Sequence, residues 1–191
     1  MNIDLVVKDL TPELWPDLEK LFGKNGACAG CWCMWWRQEL GEKYTEMQGA
    51  PNKRRFKKLV SDGEVYGALA YADGEAVGWI NFGPRSDFPK LDRAPSLACN
   101  DAEKVWSVPC FFVRRDFRGH GVSEALLDHA LRGMKRRGVK TAEGYPVAPP
   151  KSGELPDAFA FTGLESTFSR AGFKPTEKTK YKRKRVRKTL K

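Results

Sequence analysis

Apolar and polar positions along this chain switch between a period near two and a period near 3.6, and the switches mark its elements. Ile3 to Val7 alternates as a first strand. Thr11-Pro12 then opens a helix, with a hydroxyl cap and a proline at the first helical position. Leu14, Trp15, Leu18, Leu21 and Phe22 form its buried stripe. Residues 23–30 are a glycine-rich loop, and the tryptophan-rich run Cys31 to Leu40 reads as a short helix. Asn52 is placed to cap a basic helix that runs to Val60. The clearest hairpin follows: Val65 to Tyr71, the turn Asp73-Gly74, then Ala76 to Phe82. Residues 83–104 read as irregular. The apolar run Val105 to Val113 is a buried strand, and from Gly119 to Gly138 the apolar residues Val122, Ala125, Leu126, Leu127, Ala130, Leu131 and Met134 recur at helical spacing. Thr141 to Val147 is a further strand, and Pro146, Pro149, Pro150 and Pro156 mark a long loop. Leu164 to Ala171 is a short helix, and Tyr181 to Leu190 a last strand. This order predicts an α/β (α+β) fold in one domain spanning residues 1–191.

Composition narrows the class. The chain has 191 residues, 41% hydrophobic and 30% charged, enough for one core without staples. No apolar run is long enough for a transmembrane helix, and Met1 to Leu5 lacks the regions of a signal peptide, so a cytoplasmic protein with no membrane partner is expected. Five cysteines, an odd number, do not suggest a disulfide framework. The net charge of +10 is local, because ten basic side chains from Lys174 onward face only Glu177. That basic strand, residues 178–191, has two readings. One is an anionic partner such as RNA or DNA. The other, preferred because no aromatic platform accompanies the charge, is a solvated edge strand guarded against aggregation.

The chemistry is concentrated between the Val105 strand and the helix after it. Arg118-Gly119-His120-Gly121-Val122-Ser123 is a glycine turn at a helix start. The first N–H groups of a helix lack intrahelical partners and lie at the positive end of its dipole, and glycines let backbone approach an anion closely. A diphosphate suits such a turn. There is no Gly-Lys-Ser/Thr of a Walker loop, and only two glycines fit a dinucleotide fingerprint.

The segment Val113 to Val122, with its Arg-x-x-Gly-x-Gly/Ala pattern, resembles the acetyl-CoA motif of the GNAT superfamily of N-acetyltransferases. Ser123 stands at the last position of the pattern in place of Gly or Ala. The element order and the terminal Phe161-Thr162-Gly163…Phe168…Ala171-Gly172-Phe173 are similar as well, and the Cys/Trp segment and Gly144-Tyr145-Pro146-Val147 look like those of one bacterial subgroup. The resemblance implies a mixed, mostly antiparallel sheet, splayed at its centre and flanked by helices, with residues 105–147 as the cofactor-binding part. It implies acetyl-CoA as co-substrate, no metal, and transfer of acetyl to a small-molecule or peptide amine in a ternary complex. A non-catalytic acyl-CoA-binding or nucleic-acid-binding module on the same fold is the alternative, and a homodimer stays open. The expected cofactor residues are Phe111, Phe112 and Val113 along the pantetheine, Arg118, Gly119, His120, Gly121, Val122 and Ser123 around the diphosphate, and Phe168. A backbone N–H such as that of Val113 would polarise the thioester carbonyl. Phe168 occupies the place of a tyrosine that in the family often protonates the departing thiolate, and phenylalanine cannot do so.

Two further groups are candidates. Glu143 and Tyr145 share a strand face after the phosphate helix. Glu143 is the first choice for general base, against a salt-bridged structural role, and Tyr145 serves as pocket wall or acid. Trp32, Trp35, Trp36 and Arg37 are candidates to line the acceptor pocket, against a purely core role for the tryptophans. Cys28, Cys31 and Cys33 provide three soft ligands at Cys-x-x-Cys-x-Cys spacing, one short of a usual structural zinc site, so an aromatic wall is preferred to metal or to reactive thiols.

Overall fold

Strands that are apolar on both faces need a partner layer on each, and this chain supplies both. The computed structural model describes residues 3–147, 161–176 and 184–191. In chain order its strands are β1 (Val6–Asp9), β2 (Tyr66–Ala72), β3 (Glu75–Pro84), β4 (Val105–Val113), β5 (Thr141–Gly144), β6 (Lys174–Pro175) and β7 (Val186–Thr189). Its described helices are α1 (Trp15–Phe22), α2 (Tyr44–Met47), α3 (Ala50–Ser61), α4 (Lys90–Arg93), α5 (Val122–Arg136) and α6 (Glu165–Arg170). The strands form a single sheet in the order β1-β2-β3-β4-β5-β7-β6. Every pairing in it is antiparallel except β4 with β5, where Val105 to Val108 run parallel to Thr141 to Gly144. The expected mixed, mostly antiparallel sheet flanked by helices is therefore present.

Side-chain alternation on the central hairpin explains the layers. Ala68, Ala70, Ala72, Ile80 and Phe82 pack with Val122, Leu126, Leu127, Ala130, Leu131 and Met134 of α5. Leu69, Tyr71 and Trp79 point to the other face, where Trp15, Leu18, Leu21, Phe22, Phe56 and Val60 of α1 and α3 cover them. Full burial of each such side chain stabilises the fold by about 1.5–3 kcal/mol relative to exposure. Helix α5 sits close to the sheet because Gly78 has no side chain: a Cβ there would lie 2.5 Å from Val122 Cγ1.

The elements differ from expectation in a few places, each with a local cause. The first strand begins at Val6 rather than Ile3 and runs to Asp9, pairing with Tyr71 to Ala68. Thr11-Pro12 opens a single 3-10 turn, Pro12–Leu14, before α1. Helix α3 starts at Ala50, after Gly49, and Asn52 does not cap it; its amide donates to the Gly30 carbonyl at 3.2 Å. Cys31 to Leu40 is not a helix. Ala27, Ala29, Trp32 and Cys33 have φ between 45° and 68°, and Trp32 parts from the touching pair Trp35 and Trp36. Trp32 stacks on Trp15, Trp35 meets Tyr44, and Trp36 packs against Tyr145 and Phe161. A regular helix would put Trp32 and Trp36 on one face, so tertiary packing overrides local propensity here. Strand β5 stops at Gly144, and Val147 makes only an isolated parallel bridge to Leu164. The prolines 149, 150 and 156 and the first part of the basic segment, residues 178–183, lie outside the described residues. Among the described residues, no helix is long and apolar enough to cross a membrane.

Candidate active site

The parallel pair β4–β5 comes apart after four residues. Val108 is the last β4 residue opposite β5, at Gly144, and Pro109 follows with no N–H to continue the ladder. Strand β4 itself continues to Val113, still paired with β3. The Phe111 N–H turns into the gap and donates to the Phe161 carbonyl at 2.6 Å, while the Arg114 N–H donates to Val77 on the β3 side at 2.9 Å. Strand alternation therefore aims the Val113 N–H into the same gap as that of Phe111. A cleft of about 1120 Å³ opens there. Phe111, Phe112 and Val113 line one wall, and Gly163, Leu164, Ser166 and Thr167 line the opposite one.

The far end of this cleft is the start of α5. Gly119 and Gly121 have φ of 76° and 78°, a left-handed region that favours glycine, and an added Cβ at either would meet only open space. Gly121 is the N-cap and no side chain caps the helix, so the first-turn N–H groups face outward with the positive end of a 15-residue helix dipole. Arg118, Gly119, Gly121, Val122 and Ser123 line the cleft together with Lys24, Asn25, Glu124 and Arg170. The Arg118 Nε donates to the Val113 carbonyl at 3.3 Å, which ties the turn back to β4. Arg170 of α6 pairs with Glu124 across the cleft mouth. His120 is not among the lining residues; its Nδ1 donates to the Arg118 carbonyl at 2.8 Å. Phe168 does not line the cleft either. It is 1% exposed, edge-on to Phe111 and Phe173, beneath Gly144 and Gly163.

A second cavity of about 370 Å³ adjoins the first. Ala27, Cys28, Ala29, Phe111, Phe112 and Phe161 line both. Cys31, Cys33, Trp35, Tyr44 and Cys110 complete the second. The Cys33 and Cys110 sulfurs are 3.7 Å apart, and the Trp79 indole N–H donates to Cys33 at 3.0 Å. Burial, with Cys33 beside it, pushes the Cys31 thiol up to about 11, and burial pushes the Tyr44 phenol up to about 12. The hydrogen bond between Cys110 and Cys33, with burial, pushes the Cys110 thiol well above its ordinary range. Among the described residues, no group of three or more His, Cys, Asp or Glu side chains is arranged to hold a metal. Of the four residues expected at an acceptor pocket, only Trp35 lines this cavity. Trp32 belongs to the core over α1, and Trp36 donates to the Pro109 carbonyl at 3.1 Å. Arg37 is buried 3.6 Å from Asp87 and 4.8 Å from the Phe88 ring centroid.

Glu143 and Tyr145 are brought together, away from both cavities. Glu143 stands opposite Ser107 on β4 and Arg187 on β7. One carboxylate oxygen takes Arg85 and, at 2.8 Å, the Tyr145 hydroxyl; the other takes Arg187 Nε at 2.6 Å. Tyr145 also meets Ser107 at 2.6 Å and accepts from Arg85 at 2.7 Å. Arg85 reaches Asp92 at 2.7 Å, and Arg187 forks onto Asp101 with two bonds of 2.7 Å. Glu143, Tyr145, Arg85 and Ser107 are each fully buried. Burial works against the Arg85 charge, but the Tyr145, Glu143 and Asp92 oxygens outweigh it and hold its pKa above the ordinary value. Burial and the neighbouring Glu143 carboxylate push the Tyr145 phenol well above its ordinary range, so it stays protonated. This ionic knot pins β4, β5 and β7 together at the closed end of the gap, and neither Glu143 nor Tyr145 lines the cleft.

Sequence reasoning missed Arg85, Lys24, Arg170, Tyr44 and Phe161. Arg85 is a lone arginine in an irregular stretch, with no spacing to betray it. The helix-period signal of α6 did place Arg170 on a helix, but not at the cleft.

The comparisons with known proteins agree with this geometry. Residues 23–144 match the profile described as the Acetyltransferase (GNAT) family. No curated protein matches the sequence. Solved structures match over nearly the whole chain at low identity. An N-acetyltransferase from Staphylococcus aureus Mu50 is 12% identical with a TM-score of 0.58, covering 98% of this chain and 99% of that one. YncA from Salmonella typhimurium, solved with its cofactor acetyl-CoA, is 11% identical with a TM-score of 0.56, covering 98% and 94%. PaiA N-acetyltransferase from Thermoplasma acidophilum, in complex with coenzyme A, is 12% identical with a TM-score of 0.50, covering 98% and 99%. With a profile match over more than half its length and a splayed sheet that opens onto an uncapped helix start, this chain belongs to the GNAT acetyltransferase family.

Proposed function

We propose that this protein transfers the acetyl group of acetyl-CoA directly to an amine held in the second cavity. The observation that carries the reading is continuity: one cleft joins the bare N-terminus of α5 to the unpaired edge of β4, and it meets a second cavity across Phe111 and Phe112. In this reading the N–H groups of Gly121, Val122 and Ser123 hold the diphosphate, and Lys24 adds charge nearby. The Val113 N–H donates to the thioester oxygen as negative charge develops there. The acceptor nitrogen enters from the side of Cys28, Trp35 and Tyr44. Phe168 supplies packing, and the thiolate, a good leaving group, takes its proton from water or from the amine. Glu143 and Tyr145 hold the sheet open at the right width and take no part in proton transfer. The bacterial subgroup suggested by the Cys/Trp segment belongs to this same proposal.

The basic C-terminal strand lends no support to a nucleic-acid site among the described residues. Arg187 serves Glu143 and Asp101, Arg185 donates to the Ala98 carbonyl at 2.9 Å, Lys188 donates to the Ala171 carbonyl at 2.6 Å, and Lys184 pairs with Glu165 at 2.9 Å. These charges are engaged within the fold rather than simply solvated.

The test is titration calorimetry with coenzyme A, followed by a free-thiol assay with acetyl-CoA and a panel of amines. Heat of binding and acceptor-dependent thiol release are expected. Binding with no release for any acceptor would instead favour an acyl-CoA-binding module.

A further inference from the structure

We infer that the cavity beside the cleft selects a weakly basic aromatic amine, one already uncharged at neutral pH, as the acetyl acceptor. This rests on the acetyl-transfer reading above and narrows it to a substrate class.

Three observations converge. The first is the lining. At about 370 Å³ the cavity falls toward the small end of small-molecule sites (about 300–1,000 Å³). Its walls are rings and thiols, with Trp35, Tyr44, Phe112 and Phe161 around Cys31, Cys33 and Cys110. Ring edges and polarizable sulfur suit a flat aromatic guest. The second is charge. Among the described lining residues no carboxylate is present, and the aromatic pair that would otherwise attract an ammonium already has one. Lys90 Nζ lies 3.1 Å from the Trp35 ring centroid and 6.0 Å from that of Tyr44. Trp35 and Tyr44 stand edge to face at 4.8 Å, so that lysine sits against the wall of the cavity. A second cation would meet both its repulsion and the cost of leaving water. Burial that raises the Cys31 and Tyr44 acidities' midpoints is a further sign of a medium hostile to charge. The third is that the described candidates for a proton acceptor are already engaged: Glu124, which lines the cleft, pairs with Arg170. Glu143 is spent on Arg85 and Arg187, His129 Nε2 is 2.7 Å from Asp9, and His120 bonds the Arg118 carbonyl. An alkylammonium must lose a proton before it attacks, whereas an aromatic amine need not.

The step balances without another reagent. The amine lone pair forms the N–C bond to the acetyl carbon, and the C–S bond breaks with its electron pair on sulfur. The surplus N–H proton passes to that sulfur, giving an aromatic amide and coenzyme A thiol.

The experiment compares 5-aminoindole, tryptamine and spermidine with acetyl-CoA in the thiol-release assay across pH 6.5–9.5, alongside calorimetry with coenzyme A. At pH 7 kcat/KM for 5-aminoindole should exceed that for tryptamine by about ten-fold or more. The aminoindole profile should be flat, while tryptamine should gain as its ammonium deprotonates. Lys90→Gln should lower the tryptamine KM several-fold, so that the ratio of kcat/KM for 5-aminoindole to that for tryptamine falls by a similar factor; an unchanged ratio overturns the role of charge. Equal or faster turnover of tryptamine or spermidine at pH 7 overturns the assignment. So does coenzyme A binding without release from 5-aminoindole, which leaves the cofactor reading standing. Absence of any heat with coenzyme A overturns both.

Discussion

Replacing Glu143 by glutamine separates two roles that one carboxylate can play. Glutamine keeps the shape and removes the charge. The carboxylate is fully buried and accepts from Arg85, Arg187 and Tyr145. Breaking a buried ion pair by neutralising one partner typically costs about 3–5 kcal/mol, because the other charge is left in the interior. Two features pull this toward the lower end: Arg85 keeps Asp92, and Arg187 keeps its two bonds to Asp101. For a domain of this size each kcal/mol moves Tm by about 2–4 °C, so a loss of about 3 kcal/mol lowers it by roughly 6–12 °C. Thermal unfolding followed by circular dichroism measures this directly. Turnover is then measured well below the new Tm across a range of pH. A structural carboxylate predicts an unchanged pH–rate profile for the protein that remains folded. An unchanged Tm together with a rate lowered at neutral pH would show that Glu143 works as a base and that the knot has been misread.

Other substitutions test the remaining parts. Gly121→Val forces a branched residue to φ 78° and puts a side chain where phosphate should approach. It should weaken coenzyme A binding by about ten-fold or more in calorimetry, with a fold cost of only about 1–2 kcal/mol. Phe168→Tyr restores a hydroxyl at the family's usual position, but this ring is buried under Gly144 and Gly163. The variant should lose about 1–3 kcal/mol for an unpaired buried hydroxyl and gain no rate, which denaturant titration and the thiol assay will report. Asp101→Asn addresses acid stability. The fork from Arg187 holds the Asp101 carboxyl well below its ordinary range, so its contribution is present above the unfolded value and is lost as pH falls through the acid range. Tm of the parent should therefore drop more steeply than that of the variant below about pH 4.

The parts of this molecule that could be read from its sequence are those where local and global preferences agree. The hairpin around Asp73-Gly74 and the stripe Val122 to Met134 carry their own periods, and the observed β2, β3 and α5 follow them closely. The glycine turn was legible because its chemistry is local: two left-handed residues and a helix start within a few positions. The segment from Cys31 to Leu40 was not, since its tryptophans are ordered by three different neighbours outside it, Trp15, Tyr44 and Phe161. Glu143 and Tyr145 were picked out together, and they do touch; what spacing could not disclose is Arg85, 58 residues earlier, which turns a candidate base into half of an ion pair. Of the lining of the second cavity, Trp35 stands in the tryptophan-rich run and Phe161 in the terminal Phe-Thr-Gly motif, whereas Tyr44 comes from a segment with no motif of its own.

The strand that completes the ionic knot is also the last of the seven described strands in chain order. Until residues 185 and 187 have emerged, Arg85 is the only described cation paired with Glu143, and β5 lacks its outer neighbour. Translation order thus becomes a safeguard: the gap that should grip coenzyme A takes its final width only once β7 has docked, so a nascent or prematurely stopped chain ending before that strand should lack a working cleft.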